Sequence, residues 1–320
     1  MVPPGTRERV VAVHRQLGRA MVAAVIAGAA LGGCAGPNQA GSAVIVGETA
    51  VPLQQVQSQL AAALGRVPAD QRRPEQDVTF ARSIVTNQVL HGLLVREAAP
   101  AGIVIDDATV DAFIEQQGGA PALIQSTGLD EAMLRTQVRD YLTAVELGRR
   151  AAPGLAVTVD ILGATSREDA EAKAHTLAAG GPAADALFAD PRTALRDQQV
   201  AAVTYPINPG TPGADVRSVL FGTGVGEVVA YQPDPQQSTW NVFRVTQRRT
   251  DALPADPAAA GKLSQGELYL IGQRTLQPLA TSLGVRVNPR YGVWDPISLS
   301  VVPAGQTAGI VLPAPAAPPA

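Results

Sequence analysis

Ala43-Val44-Ile45-Val46-Gly47-Glu48 decides how this chain is read: an unbroken apolar run stopped by glycine, with Leu53, Val56, Leu60 and Leu64 following at three- to four-residue spacing. That spacing lines one face of a helix, while the run before it has the length of a buried strand. A strand therefore feeds a helix. Residues 66–78 are polar and hold two prolines, which predicts a loop. Phe80 to Ala99 then sets Phe80, Ile84, Val85, Val89, Leu93 and Leu94 on one stripe and is stopped by Pro100. Asp106-Asp107 precedes Val110, Phe113 and Ile114, and Asp130 precedes Met133, Leu134, Val138, Leu142 and Leu147, with Pro121 to Ser126 between them. An acid just before an apolar stripe is a helix-start signal, because its carboxylate accepts the free N–H groups of the first turn. Residues 43–150 thus read as one strand and about five helices whose stripes need partners for burial.

The pattern changes after Pro153. Val157 to Leu162 alternates as a strand, Ser166 caps a helix through Ala170, Ala174 and Leu177, and Gly180-Gly181 ends it. Beyond it we expect short helical turns over 183–198, a strand at Val200 to Tyr205, a short helix at Gly213 to Phe221, and strands at Val228 to Tyr231 and Thr239 to Gln247. These form a four-stranded sheet covered by helices on one side. Pro254 to Ala260 is a linker by composition, and a last helix runs from Leu263 to Leu283, kinked at Pro278. Val285-Arg286-Val287 follows it, and the Pro/Ala-rich stretch 304–320 is expected to be a disordered tail. The fold class is α+β.

Composition bounds the chemistry. Apolar residues make up 46% and charged ones 17% of 320 residues, and 4% aromatic means a core of Ala, Val, Leu and Ile. Arg7, Arg9, Arg15 and Arg19 precede the apolar stretch Ala20 to Ala30, which is signal-peptide order and too short for a permanent span of about 20 residues. Leu31-Gly32-Gly33-Cys34 resembles the lipobox of bacterial lipoproteins. The resemblance implies cleavage of residues 1–33 and acylation (diacylglycerol, palmitate) of Cys34, with 34–42 a flexible tether. Two or three acyl chains give lasting attachment where one is marginal, so the expected location is the extracytoplasmic face of the cell membrane. Removing 1–33 takes the formal charge from −3 to −6, and no Lys/Arg run with interleaved aromatics remains, which excludes a nucleic-acid footprint. With Cys34 the only cysteine, there is no intramolecular disulfide and no cysteine-based metal site.

The succession 43–48 plus helix, the long Phe80–Ala99 helix, Gly102-Ile103-Val104-Ile105-Asp106, and Thr127-Gly128-Leu129-Asp130 leading into Leu134-Arg135 and Val138-Arg139 resembles the N-terminal chaperone domain of SurA- and PrsA-type extracytoplasmic foldases. The resemblance covers 43–150. It implies that 262–295, the last helix and the strand at Val285-Arg286-Val287, returns to complete that lobe, and that 154–250 is an inserted parvulin-like α/β lobe. Parvulin isomerases carry His-Ile-Leu in the first strand, a Gly-Gly-Asp-Leu-Gly stretch before the central strand, and Gly-Tyr-His in the last. This chain has Asp160-Ile161-Leu162, Arg196-Asp197-Gln198-Gln199-Val200 and Thr239-Trp240-Asn241. The resemblance therefore marks Asp160 and Asn241 as degenerate isomerase positions and implies no catalytic residues.

Other constellations read as structural. His91 and His175 are lone histidines on helices, Gly222-Thr223-Gly224-Val225-Gly226 is a turn, and Asp106-Asp107 is a helix start rather than a catalytic pair. Asn288 to Asp295, with Tyr291 and Trp294 around a Pro and Gly turn, is expected to plug the lobe. No metal or cofactor is expected. The reading is a membrane-anchored chaperone whose partners are unfolded or nascent exported polypeptides, held in an apolar cradle of helices. The alternatives are an active parvulin-type prolyl isomerase and an envelope scaffold lipoprotein with one dedicated partner.

Overall fold

A computed structural model describes residues 41–67, 72–205, 209, 214–234, 237–253 and 258–314. The leader 1–33, Cys34, most of the tether, and 315–320 lie outside the described residues, as do 254–257 of the linker. The first strand, β1 (Ser42–Val46), is buried at every position. It turns through Gly47, whose φ of 60 suits a residue without a side chain, into β2 (Thr49–Pro52). Ser42 is thus part of the sheet, not of the tether.

β1 lies between β2 and β7 (Val285–Val287), with Val44 opposite Val287 and Val46 opposite Val285. Asn288 extends the pairing, its backbone N–H donating to the Ala43 carbonyl at 2.9 Å and its side chain to the Ser42 carbonyl at 3.0 Å. Two segments far apart in the chain therefore close one sheet. On it pack α1 (Leu53–Arg66) and α2 (Pro74–Ala98). α2 starts six residues before the apolar stripe, inside the expected loop, because Pro74 is preset for a first helical position and Glu75 and Asp77 complement the helix N-terminus. α3 (Asp107–Gln116), α4 (Ala120–Thr127) and α5 (Glu131–Ala151) follow, and the carboxylates of Asp106 and Asp130 each accept an N–H of the first turn at 2.8 Å.

The second sheet has the order β10-β5-β6-β3-β4 and is antiparallel throughout. Its strands are β3 (Ala156–Ala164), β4 (Ala194–Ala201), β5 (Val228–Tyr231), β6 (Trp240–Arg249) and β10 (Gly309–Leu312). Three expectations are corrected here. The strand beside β3 is at 194–201, not at Val200 to Tyr205. The sheet has five strands, because residues 309–312 of the expected disordered tail pair with β5, Ile310 opposite Ala230 and Leu312 opposite Val228. Both faces are covered. Leu162, Val228, Ala230, Trp240 and Val242 pack with α6 (Arg167–Ala179) on one face, and Val157, Val159, Val229, Phe243 and Val245 face the 3-10 turn Ser218–Phe221 and α9 (Gln265–Leu283) on the other. Two short helices, α7 (Gly181–Ala186) and α8 (Ala214–Arg217), complete the lobe.

α9, opened by a Ser264–Glu267 capping box, joins the two cores: Leu270 and Ile271 belong to the second, Leu276 and Ala280 to the first. It crosses α5 at glycines, where a Cβ on Gly272 would lie 1.8 Å from the Ala144 carbonyl oxygen and one on Gly148 1.8 Å from that of Leu268. β8 (Val293–Asp295) and β9 (Ser300–Val302) form a ribbon beside α2. Tyr291 and Asp295 are buried, so this segment fills the lobe. The molecule is α+β: a mostly helical lobe closed by α9 and β7, and a sheet lobe that lies between them and α5 in sequence and takes its edge strand β10 from beyond them.

Candidate functional site

Three helices converge on an open cavity of about 520 Å³. α1 contributes Gln55, Gln59 and Ala63; α2 contributes Phe80, Ile84, Asn87, Gln88 and His91; α5 contributes Met133, Gln137 and Asp140. Residues four apart share a helix face, so each helix presents one ladder of side chains, and the three ladders meet. Gln88 links α1 to α2, accepting from the Gln55 amide and donating to that of Gln59, both at 3.3 Å. Asn87 and Gln137 make no side-chain hydrogen bond to other described residues. The cleft therefore offers carboxamides, which donate and accept equally, between apolar groups.

His91 and Asp140 close one side of the cleft, Nδ1 lying 2.9 and 3.0 Å from the two carboxylate oxygens. The hydrogen bond to Asp140 and its charge raise the His91 pKa above the ordinary value, with partial burial opposing. Beyond Asp140 the Tyr141 and Tyr269 rings meet with centroids 5.0 Å apart and planes tilted by 30°, and burial with the nearby Tyr141 and Asp140 pushes the Tyr269 phenol up to about 12. The lone helix histidine of the sequence thus has a partner 49 residues away. A histidine whose pKa is higher folded than unfolded adds stability that is complete below the unfolded value of about 6.5 and lost as pH rises through the folded one. Asp140→Asn is accordingly expected to lower the His91 pKa in an NMR titration and to flatten the fall in melting temperature between pH 6 and 8. Identical titration curves would refute the pairing.

The degenerate isomerase positions lie in the other lobe and do not meet. Asp160 is opposite Arg244 and Asn241 opposite Gly163, three steps along the same pair of strands. Side chains alternate, so Asp160 shares the face of Leu162 and Val242, while Asn241 shares that of Phe243. Asp160, 3% exposed at its side chain, accepts from Arg244 Nη2 at 2.6 Å and from the Asp197 backbone N–H at 3.2 Å. Asp197 takes a φ of 54 to deliver that N–H. Both Asp160 oxygens are occupied.

The other expected features fall into place as structure. His175 is exposed on α6. The 222–226 turn is tied by its own side chains, Glu227 accepting from Gly224 N–H at 2.6 Å and Thr223 donating to the Val219 carbonyl at 2.9 Å. Among the described residues no three or more His, Cys, Asp or Glu cluster as metal ligands, and no helix is long and apolar enough to cross a membrane. The polar ladders were present in the sequence as Gln55/Gln59 and Asn87/His91, but a polar stripe reads as a solvated face until a third helix is known to lie over it.

No family model and no curated protein matches the chain. Among solved structures it is similar to the foldase protein PrsA of Lactococcus lactis, at 12% identity over 78% of this chain and 95% of that one, TM-score 0.26. It is also similar to the peptidylprolyl isomerase PrsA of Bacillus anthracis (13% identity, 64% and 99% covered, TM-score 0.26) and to the foldase protein PrsA of Streptococcus pneumoniae (11%, 76% and 94%, TM-score 0.25). At such identities the chemistry of this chain is read from its own residues.

Proposed function

We propose that the protein is a chaperone that holds unfolded exported polypeptides in the α1–α2–α5 cleft, performs no isomerase chemistry, and is kept at the extracytoplasmic face of the cell membrane by acyl chains on Cys34. One observation carries the reading: an open cavity whose walls alternate apolar side chains with carboxamides suits an extended chain, which presents both apolar side chains and unsatisfied backbone groups. The enzyme alternative loses support from the second lobe. Lowering a barrier of about 18–20 kcal/mol to amide rotation takes a shaped, hydrogen-bonding pocket, whereas Asp160 is committed to Arg244 and Asn241 faces the other way.

The test is suppression of aggregation of a chemically unfolded client by the full chain, with a proline-peptide isomerisation assay alongside. Suppression at a few-fold molar excess with a baseline isomerisation rate is the expected pair. An absence of suppression removes the chaperone reading, and a rate above baseline removes the claim of inactivity. Retention of Cys34→Ser in the membrane fraction would refute the anchor.

A further inference from the structure

Among the described residues that line the cleft, Asp140 is the only acid and His91 the only group that titrates near neutral pH. The His91 ring is also the only polar partner of the Asp140 carboxylate among the described residues, its Nδ1 shared between the two oxygens. A carboxylate has about four acceptor sites, and one N–H cannot fill them. The Asp140 side chain is 21% exposed and stands where the cleft meets a second cavity of about 190 Å³, so it borders open space with acceptor capacity to spare.

No cation of the surrounding helices takes up that capacity. α1 carries no charged side chain from Leu53 to Gly65, and every residue three or four positions from Asp140 or His91 on its own helix is neutral. On α5, Arg135 is held by Asp111, Arg139 by Asp107, and Glu146 by Arg149 and Arg150. On α2, Arg96 and Glu97 lie about 120–140° round the helix from His91, and Arg96 donates to Thr49 on the β1–β2 hairpin. From α9, Arg274 reaches Ser218 and Ile297 instead. Tyr141 and Tyr269 lie beside Asp140, and burial raises both phenols, so they stay neutral. The charge at this point of the cleft therefore follows one proton. With His91 protonated the pair sums to zero; with His91 neutral the Asp140 charge stands alone.

We infer that Asp140 is the site at which the cleft binds an arginine or lysine side chain of its client, in competition with His91, so that basic segments are preferred once His91 has lost its proton. The assignment rests on the chaperone reading and names one chemistry of the client. Asp140 itself keeps His91 charged above the ordinary histidine value of about 6.5, so the preference sets in only on the alkaline side of it. Coupling is reciprocal: a bound guanidinium must in turn make His91 easier to deprotonate.

The experiment uses the full chain and labelled apolar peptides of about twelve residues with a central arginine, glutamine or glutamate, read by fluorescence anisotropy at about pH 5.5 and 9 in about 0.15 M salt. Arginine stays charged throughout. At the higher pH the arginine peptide is expected to bind about fivefold tighter than the glutamine peptide, the upper end of what a partly exposed ion pair gives, and the glutamate peptide more weakly than either. At the lower pH arginine and glutamine should bind alike. Asp140→Asn is expected to remove the preference at both pH values, and His91→Gln to extend it to the lower one. In an NMR titration, saturating arginine peptide should move the His91 midpoint to lower pH and leave that of His175, exposed on α6, in place. A preference for arginine that is equal at both pH values, or that survives Asp140→Asn, belongs to the net negative charge of the whole chain and overturns the assignment. Peptides that bind without regard to charge overturn it too, and leave the chaperone reading standing. If no peptide binds, both fall.

Discussion

Gly272→Ala is expected to cost about 3 kcal/mol or more of folding stability, the upper end of what overpacking a core does. The added methyl would sit 1.8 Å from the Ala144 carbonyl oxygen and 2.7 Å from its carbon. Overpacking is cheap when the neighbour is the free end of a side chain that can rotate, but this neighbour is the backbone of α5, fixed in its own hydrogen-bond ladder. The helices can only separate. Separation is costly because α9 serves two cores, so moving it loosens Leu270 and Ile271 against the sheet and Leu276 and Ala280 against α2. Gly148→Ala meets the reciprocal contact with Leu268 and is expected to cost a similar amount. The double substitution is expected to cost clearly less than the two singles added, because the first has already opened the crossing. Gly92→Ala on α2 is the control: nothing lies within 4 Å of its added methyl, and it should gain about 0.5–1 kcal/mol of helix stability. Denaturant midpoints of the four variants decide the matter. Gly272→Ala unfolding at the wild-type midpoint would refute a backbone-to-backbone crossing.

The elements legible in the sequence were those whose reason is local. The stripe of α2 and the caps at Asp106, Asp130 and Ser166 need only their own neighbours, and the structure has them where the spacing put them. β4 was misplaced because Leu195-Arg196-Asp197-Gln198-Gln199 has no apolar alternation. An edge strand with exposed side chains is held by the backbone of β3, not by burial. β10 was missed for the converse reason: Gly309-Ile310-Val311-Leu312 is strand-like, but its Pro/Ala surroundings outweigh four residues until the open edge of β5 is known. Gly309 also admits no side chain, since a Cβ there would fall 1.9 Å from the Ala230 carbonyl oxygen. The facing of Asp160 and Asn241 was invisible because it depends on the β3–β6 register, which sets Asp160 opposite Arg244 and Gly163 opposite Asn241, and a slip of one residue would exchange the faces. The cleft was half legible: the helices were, but the pairing of His91 with Asp140 depends on the packing of α2 on α5.

Arg274→Met is the second large effect, expected to destabilise by about 3 kcal/mol. Arg274 is 2% exposed and its fork reaches three elements, donating to Ser218 Oγ at 2.8 Å, Gln277 Oε1 at 3.0 Å and the Ile297 carbonyl at 2.8 Å. Methionine fills much of the volume and relieves the cost of burying a charge, which is why removing a whole buried ion pair is often harmless. Here the acceptors stay behind. Ser218 and Ile297 are fully buried, and losing a hydrogen bond at a buried acceptor costs about 1–3 kcal/mol, so the loss of the whole fork outweighs the relief. Arg274→Lys keeps the charge but aims one ammonium where a planar fork met three acceptors, and is expected to recover less than half of the loss. Chemical denaturation of Arg274→Met, Ser218→Ala and the pair closes a cycle whose coupling should be favourable. Zero coupling, or a methionine variant as stable as the wild type, would mean that the arginine fills space rather than holding the 3-10 turn, α9 and the segment before β9 together.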